Sequence, residues 1–154
     1  MKIAIGGDHR GFDAVQRLVE HLTTRGHQVS VLGPCSRESS DYTDAAWAVG
    51  NAVASKDAEM GILICGTGIG TCISANKIPG VRAALVHDEI TAQMSRSHND
   101  ANVICMSGDL LGIRLIEKIV EICLSTPFSG GRHAKRLAKL TDIEHGRDPN
   151  STKH

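Results

Sequence analysis

Aromatic side chains are nearly absent: one Trp, one Tyr and two Phe make up 3% of the 154 residues. Proteins that hold single-stranded nucleic acid stack bases on aromatic rings, so this scarcity argues against that role. Neither sign of charge dominates. The 17 basic side chains balance 17 acidic ones, which removes the electrostatic drive toward nucleic acid or an anionic membrane. No apolar run approaches the roughly 20 residues of a membrane-spanning helix. Cys35, Cys65, Cys72, Cys105 and Cys123 form no CxxC pair and no regular spacing. Neither a zinc site nor a disulfide framework follows from them. Cys105 and Cys123 sit among apolar residues and read as buried thiols. The opening Met-Lys-Ile-Ala-Ile-Gly-Gly reads as a strand rather than a signal peptide. A reducing, cytoplasmic compartment is the expectation, with no nucleic acid and no membrane as partners.

What the chain does have is aliphatic residues, glycine and histidine. Apolar residues make up 41%, so an aliphatic core is expected. Eight histidines supply much acid–base capacity. One stretch organises the rest, running from Ile62 to Thr71 as Ile-Leu-Ile-Cys-Gly-Thr-Gly-Ile-Gly-Thr. Ile62, Leu63 and Ile64 read as a strand buried on both faces. Gly66, Gly68 and Gly70 then alternate, as in loops whose amides approach a ligand closely. A helix-compatible segment follows and stops at Pro79-Gly80.

Strands are expected at 2–5, 28–32, 60–64, 81–86 and 102–106. Helices are expected at 11–24, 89–96, 110–124 and about 133–144, with another running from an Asp41 cap through 55. Regular alternation predicts an α/β fold: a three-layer, Rossmann-like domain with a five-stranded parallel sheet and helices on both faces. One domain should cover 1–146, with a polar tail at 147–154. Asp8, His9, Cys65, Thr67, His87 and His98 fall after strands or near loop starts, and several should share one rim of the sheet.

The glycine loop fits neither common nucleotide motif. It reads GxGxG rather than GxGxxG, and it follows the third strand instead of the first. Thr71 follows its last glycine where a P-loop has Lys. An anion or oxyanion at the loop amides is the broader reading.

Six segments recur together: Gly7-Asp8-His9-Arg10-Gly11, Asp41-Tyr42, Cys65-Gly66-Thr67-Gly68-Ile69-Gly70, Ala75-Asn76-Lys77, Ser97-His98-Asn99-Asp100-Ala101-Asn102 and Gly130-Gly131-Arg132-His133. As a set they resemble the ribose-5-phosphate isomerase B family, which also includes galactose-6-phosphate, allose-6-phosphate and tetrulose-phosphate isomerases. The resemblance implies an aldose–ketose isomerase with no metal and no organic cofactor. Its substrate would be ribose 5-phosphate; a hexose 6-phosphate, a tetrose or tetrulose 4-phosphate, or a non-catalytic sugar-phosphate-binding subunit are the alternatives. By resemblance Cys65 is the base and Thr67 exchanges a proton with a substrate hydroxyl. The amides of Gly66, Gly68, Ile69 and Gly70 stabilise the enediolate, and His98 opens the sugar ring. Asp8 and Asn99 bind hydroxyls, Tyr42 lines the pocket, and His9, Arg132 and Arg136 hold the phosphate. Arg132 and Arg136 are four apart on a predicted helix and share a face. The family also implies a homodimer or dimer of dimers, with residues near His98 completing the neighbour's site.

One branch of that family uses a glutamate base where this chain has Thr71, so Cys65 resembles the cysteine branch. Two departures stand out. Many relatives carry a substrate-contacting arginine after the fifth strand, and the matching position here is Asp109. The segment ending at His87-Asp88 looks closer to the tetrulose-phosphate members. The other reading of each residue is plain: a strand-end thiol, a capping His9, a surface His98, a half-buried Tyr42, a solvated basic face at Arg132 and Arg136.

Overall fold

The computed structural model describes residues 1–151; the last three positions of the expected tail, His154 among them, lie outside the described residues. The order is β1 (Lys2–Gly7), α1 (Phe12–Thr24), β2 (Gln28–Val31), α2 (Tyr42–Ala54), β3 (Met60–Cys65), α3 (Ile69–Ala75), β4 (Ala83–Leu85), α4 (Glu89–Ser97), β5 (Val103–Ser107), α5 (Ile113–Ser125) and α6 (Arg132–Glu144). The five strands form one parallel sheet in the order β2-β1-β3-β5-β4. Helices cover both faces, which gives the three-layer α/β arrangement that the alternation predicts.

Side-chain alternation along the strands divides the core in two. Ile3, Ile5, Ile62, Ile64, Ile104 and Met106 face one side, packed with Val15, Leu18 and Leu22 of α1 and Ile116, Ile119 and Val120 of α5. Ala4, Leu63, Val103 and Cys105 face the other, against Ala45, Ala46, Val49 and Val53 of α2. All six residues of β3 are buried, as a central parallel strand requires. Each fully buried Leu or Ile stabilises the fold by about 1.5–3 kcal/mol.

Strand order fixes where a ligand can enter. From β1 the chain moves outward to β2, then returns across β1 to β3 on its other side. The crevice of such a sheet lies at this switch, outside the carboxyl ends of the strands. Gly7 and Cys65 end the two strands that flank it.

Several boundaries differ from expectation for identifiable reasons. α3 stops at Ala75 because Asn76 leaves the helix to pair with the edge strand. Its Nδ2 donates to the Ala83 carbonyl (2.8 Å), and its Oδ1 accepts from the Ala83 N–H (2.9 Å). α5 starts at Ile113 rather than residue 110, since the Leu110 N–H is held by Ser107 Oγ (2.9 Å). Asp41 is the N-cap of α2 by position, yet its side chain makes no capping hydrogen bond. α6 lies along the opposite edge of the sheet from the crevice. Before its start the Ser129 N–H donates to the Ser97 carbonyl (2.9 Å), and near its end Glu144 accepts from the Gly80 N–H (2.8 Å).

Candidate active site

Cys65 is the last residue of β3, and its thiol is buried where strand gives way to loop. Gly68 has a left-handed φ of 77°, which glycine adopts without strain. That turn sends the Gly68 N–H back to Cys65 Sγ at 3.2 Å. A Cβ at Gly68 would stand 2.7 Å from Leu85 Cδ1 and 2.9 Å from the Met106 carbonyl carbon. Thr71, in the first turn of α3, donates its hydroxyl to the Gly68 carbonyl (3.0 Å). The same oxygen lies 3.6 Å from Cys65 Sγ. With the threonine proton committed to the carbonyl, the thiol S–H is the donor in that contact. The sulfur is therefore oriented by one donor and one acceptor.

Other residues of the same rim close around this loop. The exposed Thr67 accepts the Ile69 N–H at Oγ1 (3.3 Å). The Tyr42 ring lies over Gly70, where a Cβ would come within 2.7 Å of ring carbons. Asp8 is buried at the end of β1, and its Oδ1 accepts from the Arg10 (2.9 Å) and Gly11 (3.2 Å) amides. His9 Nδ1 accepts the Ser40 N–H at 3.4 Å, which assigns the ring proton to Nε2. On the β5 side, the Gly108 N–H donates to the Cys65 carbonyl (2.8 Å) and the Asp109 N–H to the Gly66 carbonyl (3.3 Å). Ser107 Oγ also donates to the Gly66 carbonyl. Arg10 reaches across to form a two-pronged ion pair with Asp109.

A second cluster sits at the opposite rim. His98 is the C-cap of α4, and its ring stacks on His133 of α6 with centroids 4.2 Å apart and 9° from parallel. Burial lowers the pKa of His133 from its ordinary value, and the nearby charges of His98, Arg132 and Arg136 lower it further. Arg132 and Arg136 are exposed, one turn apart around His133. Asn99 is exposed and lines a groove of about 510 Å³ with Arg82, Leu140 and Glu144. Asn102, just before β5, accepts the Gly61 N–H at 2.9 Å. The 98–102 segment therefore lies where β3 begins. Four residue steps along β3 separate Gly61 from Cys65, roughly 13 Å.

The model of the ribose/galactose isomerase family matches residues 3–140. The chain is 43% identical to ribose-5-phosphate isomerase B of Escherichia coli K12 over 147 residues, which cover 96% of this chain and 99% of that protein. The chain belongs to the ribose/galactose isomerase family. Solved structures agree. The ribose-5-phosphate isomerase B of Clostridium thermocellum superposes with a TM-score of 0.93 at 43% identity, covering 95% of this chain and 99% of that one. That of Mycoplasma genitalium, solved with bound ribulose 5-phosphate, gives 0.89 at 42%, covering 94% and 96%.

Among the sequence-predicted site residues, this member of the ribose/galactose isomerase family brings Asp8, His9, Tyr42, Cys65, Thr67 and the glycine loop to one rim. It does not bring His98, Asn99, Arg132 or Arg136 there. His98 follows a helix, and helices in such a sheet run back toward the strand starts. His87 follows the edge strand β4, two strands from β3, and its Nε2 is buried without a partner. Three contacts close to the chemistry escaped the sequence reading: Thr71 with Cys65, Ser107 with Gly66, and Arg10 with Asp109. Thr71 stands at the glutamate-base position of the other branch, and in the first helical turn its hydroxyl lies beside Cys65. Ser107 and Gly66 are 41 residues apart in the chain and Arg10 and Asp109 are 99 apart, and no local pattern announces such contacts. Among the described residues no cluster of His, Cys, Asp and Glu is arranged to hold a metal. No helix among them is long and apolar enough to cross a membrane.

Proposed function

We propose that the chain, with residues 1–146 as its catalytic unit, is a cytoplasmic, cofactor-independent aldose–ketose isomerase that interconverts ribose 5-phosphate and ribulose 5-phosphate. The observation that carries this reading is the Cys65 sulfur, buried at the switch of the sheet and oriented by the Gly68 amide and Thr71. Relatives of more than 40% identity named ribose-5-phosphate isomerase B support the substrate. In this reading the Cys65 thiolate takes the proton from C2 of the open-chain aldose and returns it to C1. The intermediate is an enediolate, whose charge develops on the sugar oxygens. The amides of Gly66, Gly68, Ile69 and Gly70 stabilise that charge, as preorganised donors do. Thr67 passes a proton between the two oxygens, Asp8 and Asn99 bind the sugar hydroxyls, and Tyr42 lines the pocket.

Two further tasks remain: His98 opens the sugar ring, and Arg132 and Arg136 hold the phosphate together with His9. The separation of the two rims supports a site shared between copies: Cys65 of one protomer facing His98 and the α6 arginines of its partner. Exposed Ile69 and Ile73 on α3, and Ile90 and Met94 on α4, form apolar stripes of the kind a second copy covers. A homodimer, alone or paired further, is the expected assembly.

The test is turnover of ribose 5-phosphate, allose 6-phosphate, galactose 6-phosphate and erythrose 4-phosphate by wild type and Cys65→Ala. Isomerisation of ribose 5-phosphate that disappears in the variant is the expected result. Preference for another sugar would correct the substrate. Activity undiminished in Cys65→Ala would overturn the thiol base.

A further inference from the structure

Arg10 brings to the Cys65 rim a cation that the roles above leave unused. Its Nε donates to both carboxylate oxygens of Asp109 at 3.0 Å, and its Nη2 to Oδ2 at 2.7 Å. The pair lies directly on the glycine loop. A Cβ at Gly66 would be 3.1 Å from Asp109 Oδ2 and 3.9 Å from Arg10 Nε. Asp109 is itself tied down, since its amide donates to the Gly66 carbonyl and the next amide, that of Leu110, donates to Ser107 Oγ. Arg10 therefore points along a line fixed by β5, one residue from His9 and two from Asp8.

The guanidinium is only half engaged. It has five N–H donors, and Asp109 occupies one edge of the fork. Both N–H groups of Nη1 and the outer one of Nη2 remain, and 56% of the side chain is accessible. A free guanidinium edge matches two oxygens of a phosphate group. Holding the other edge on a carboxylate fixes the plane of the fork before the ligand arrives, which reduces the entropy lost on binding. Exposed ion pairs of this kind add little to stability, so a purely structural role explains the arrangement poorly. The Cys65-bearing chain also lacks the α6 arginines at this rim.

We propose that Arg10 binds the phosphate group of the sugar phosphate, with Asp109 as its positioning residue. This rests on the isomerase reading for the substrate, but not for the phosphate itself. The experiment is titration calorimetry with inorganic phosphate, alongside kcat and KM for ribose 5-phosphate. The proteins are wild type, Arg10→Ala, and the double variant Arg10→Ala/Asp109→Ala. Loss of charge-assisted bonds should weaken phosphate binding by about tenfold to a hundredfold. KM should rise by a similar factor with kcat less affected, and the double variant should bind no better than Arg10→Ala. Unchanged phosphate affinity in Arg10→Ala, or no phosphate binding by wild type, would overturn the proposal. So would recovery in the double variant, which would mean that Arg10 only screens the Asp109 charge. If wild type bound phosphate through Arg10 but turned over no sugar, the isomerase reading alone would fall.

Discussion

The imidazoles of His98 and His133 stack nearly parallel, 4.2 Å between centroids, and join the end of α4 to the first turn of α6. Stacking is favourable while at most one ring is charged. Burial, then the charges of His98, Arg132 and Arg136, lower the His133 pKa below its ordinary 6.5. In the unfolded chain the ring titrates at that ordinary value, so the unfolded state takes up the proton first as pH falls. The stabilisation is thus full above about pH 6.5 and declines below it until the folded-state pKa is passed. Thermal melts between pH 5 and 8 check this: the wild-type Tm should drop on the acid side, and His133→Phe should flatten that part of the curve. An equal acid drop in the variant would place the sensitivity elsewhere.

Gly68 combines a positive φ with a backbone neighbour 2.9 Å from where a Cβ would be. Gly80 has a similar φ of 83° with open space around it. Gly68→Ala should therefore destabilise by about 1–3 kcal/mol and abolish most turnover, because the amide that meets Cys65 must move. Gly80→Ala should cost about 1 kcal/mol and leave turnover intact. Urea unfolding with parallel assays separates the two; equal effects would contradict the geometric account.

Thr71→Val keeps the shape of a fully buried side chain but removes the oxygen beside Cys65. A drop of roughly tenfold in kcat, about 1.4 kcal/mol, is expected with KM little changed. Thr71→Ser should restore most of it. Wild-type kcat in the valine variant would remove Thr71 from the catalytic arrangement.

The thiols should differ in reactivity. A hydrogen bond from Cys105 lowers the pKa of half-buried Cys72 to about 7, with help from Asn76 and the Leu85 backbone. Burial pushes Cys123 up to about 11. Thiolate is the reactive form. Peptide mapping after a brief iodoacetamide pulse should show Cys72 labelling rise through pH 7 and Cys123 unlabelled. Uniform labelling of both would contradict this.

Much of the fold was legible because one signal sufficed. Apolar alternation in Ile3-Ala4-Ile5 and Ile62-Leu63-Ile64 marks strands, and the spacing of Val15, Leu18 and Leu22 marks a helix. Cys65 at the strand end and the glycines behind it could be placed by the same reasoning. The rims were harder. A residue after a strand and a residue after a helix stand at opposite ends of a parallel sheet, so Cys65 and His98 were separable in principle. Contacts such as Arg10–Asp109 and His98–His133 were not, since they depend on strand order and on how α6 docks. Asp41 reads as a capping side chain and is the N-cap of α2 by position alone, since its carboxylate makes no capping hydrogen bond.

The most direct measurement is complementation between two inactive variants. Cys65→Ala and His98→Ala chains would be assayed on ribose 5-phosphate separately, then after co-refolding as mixed assemblies. If each site joins Cys65 of one copy to His98 of the other, a mixed symmetric dimer holds one doubly damaged site and one intact site. Random pairing should then restore roughly a quarter of wild-type activity, from two preparations that show almost none alone. No recovery in verified mixed dimers would contradict a site shared between copies.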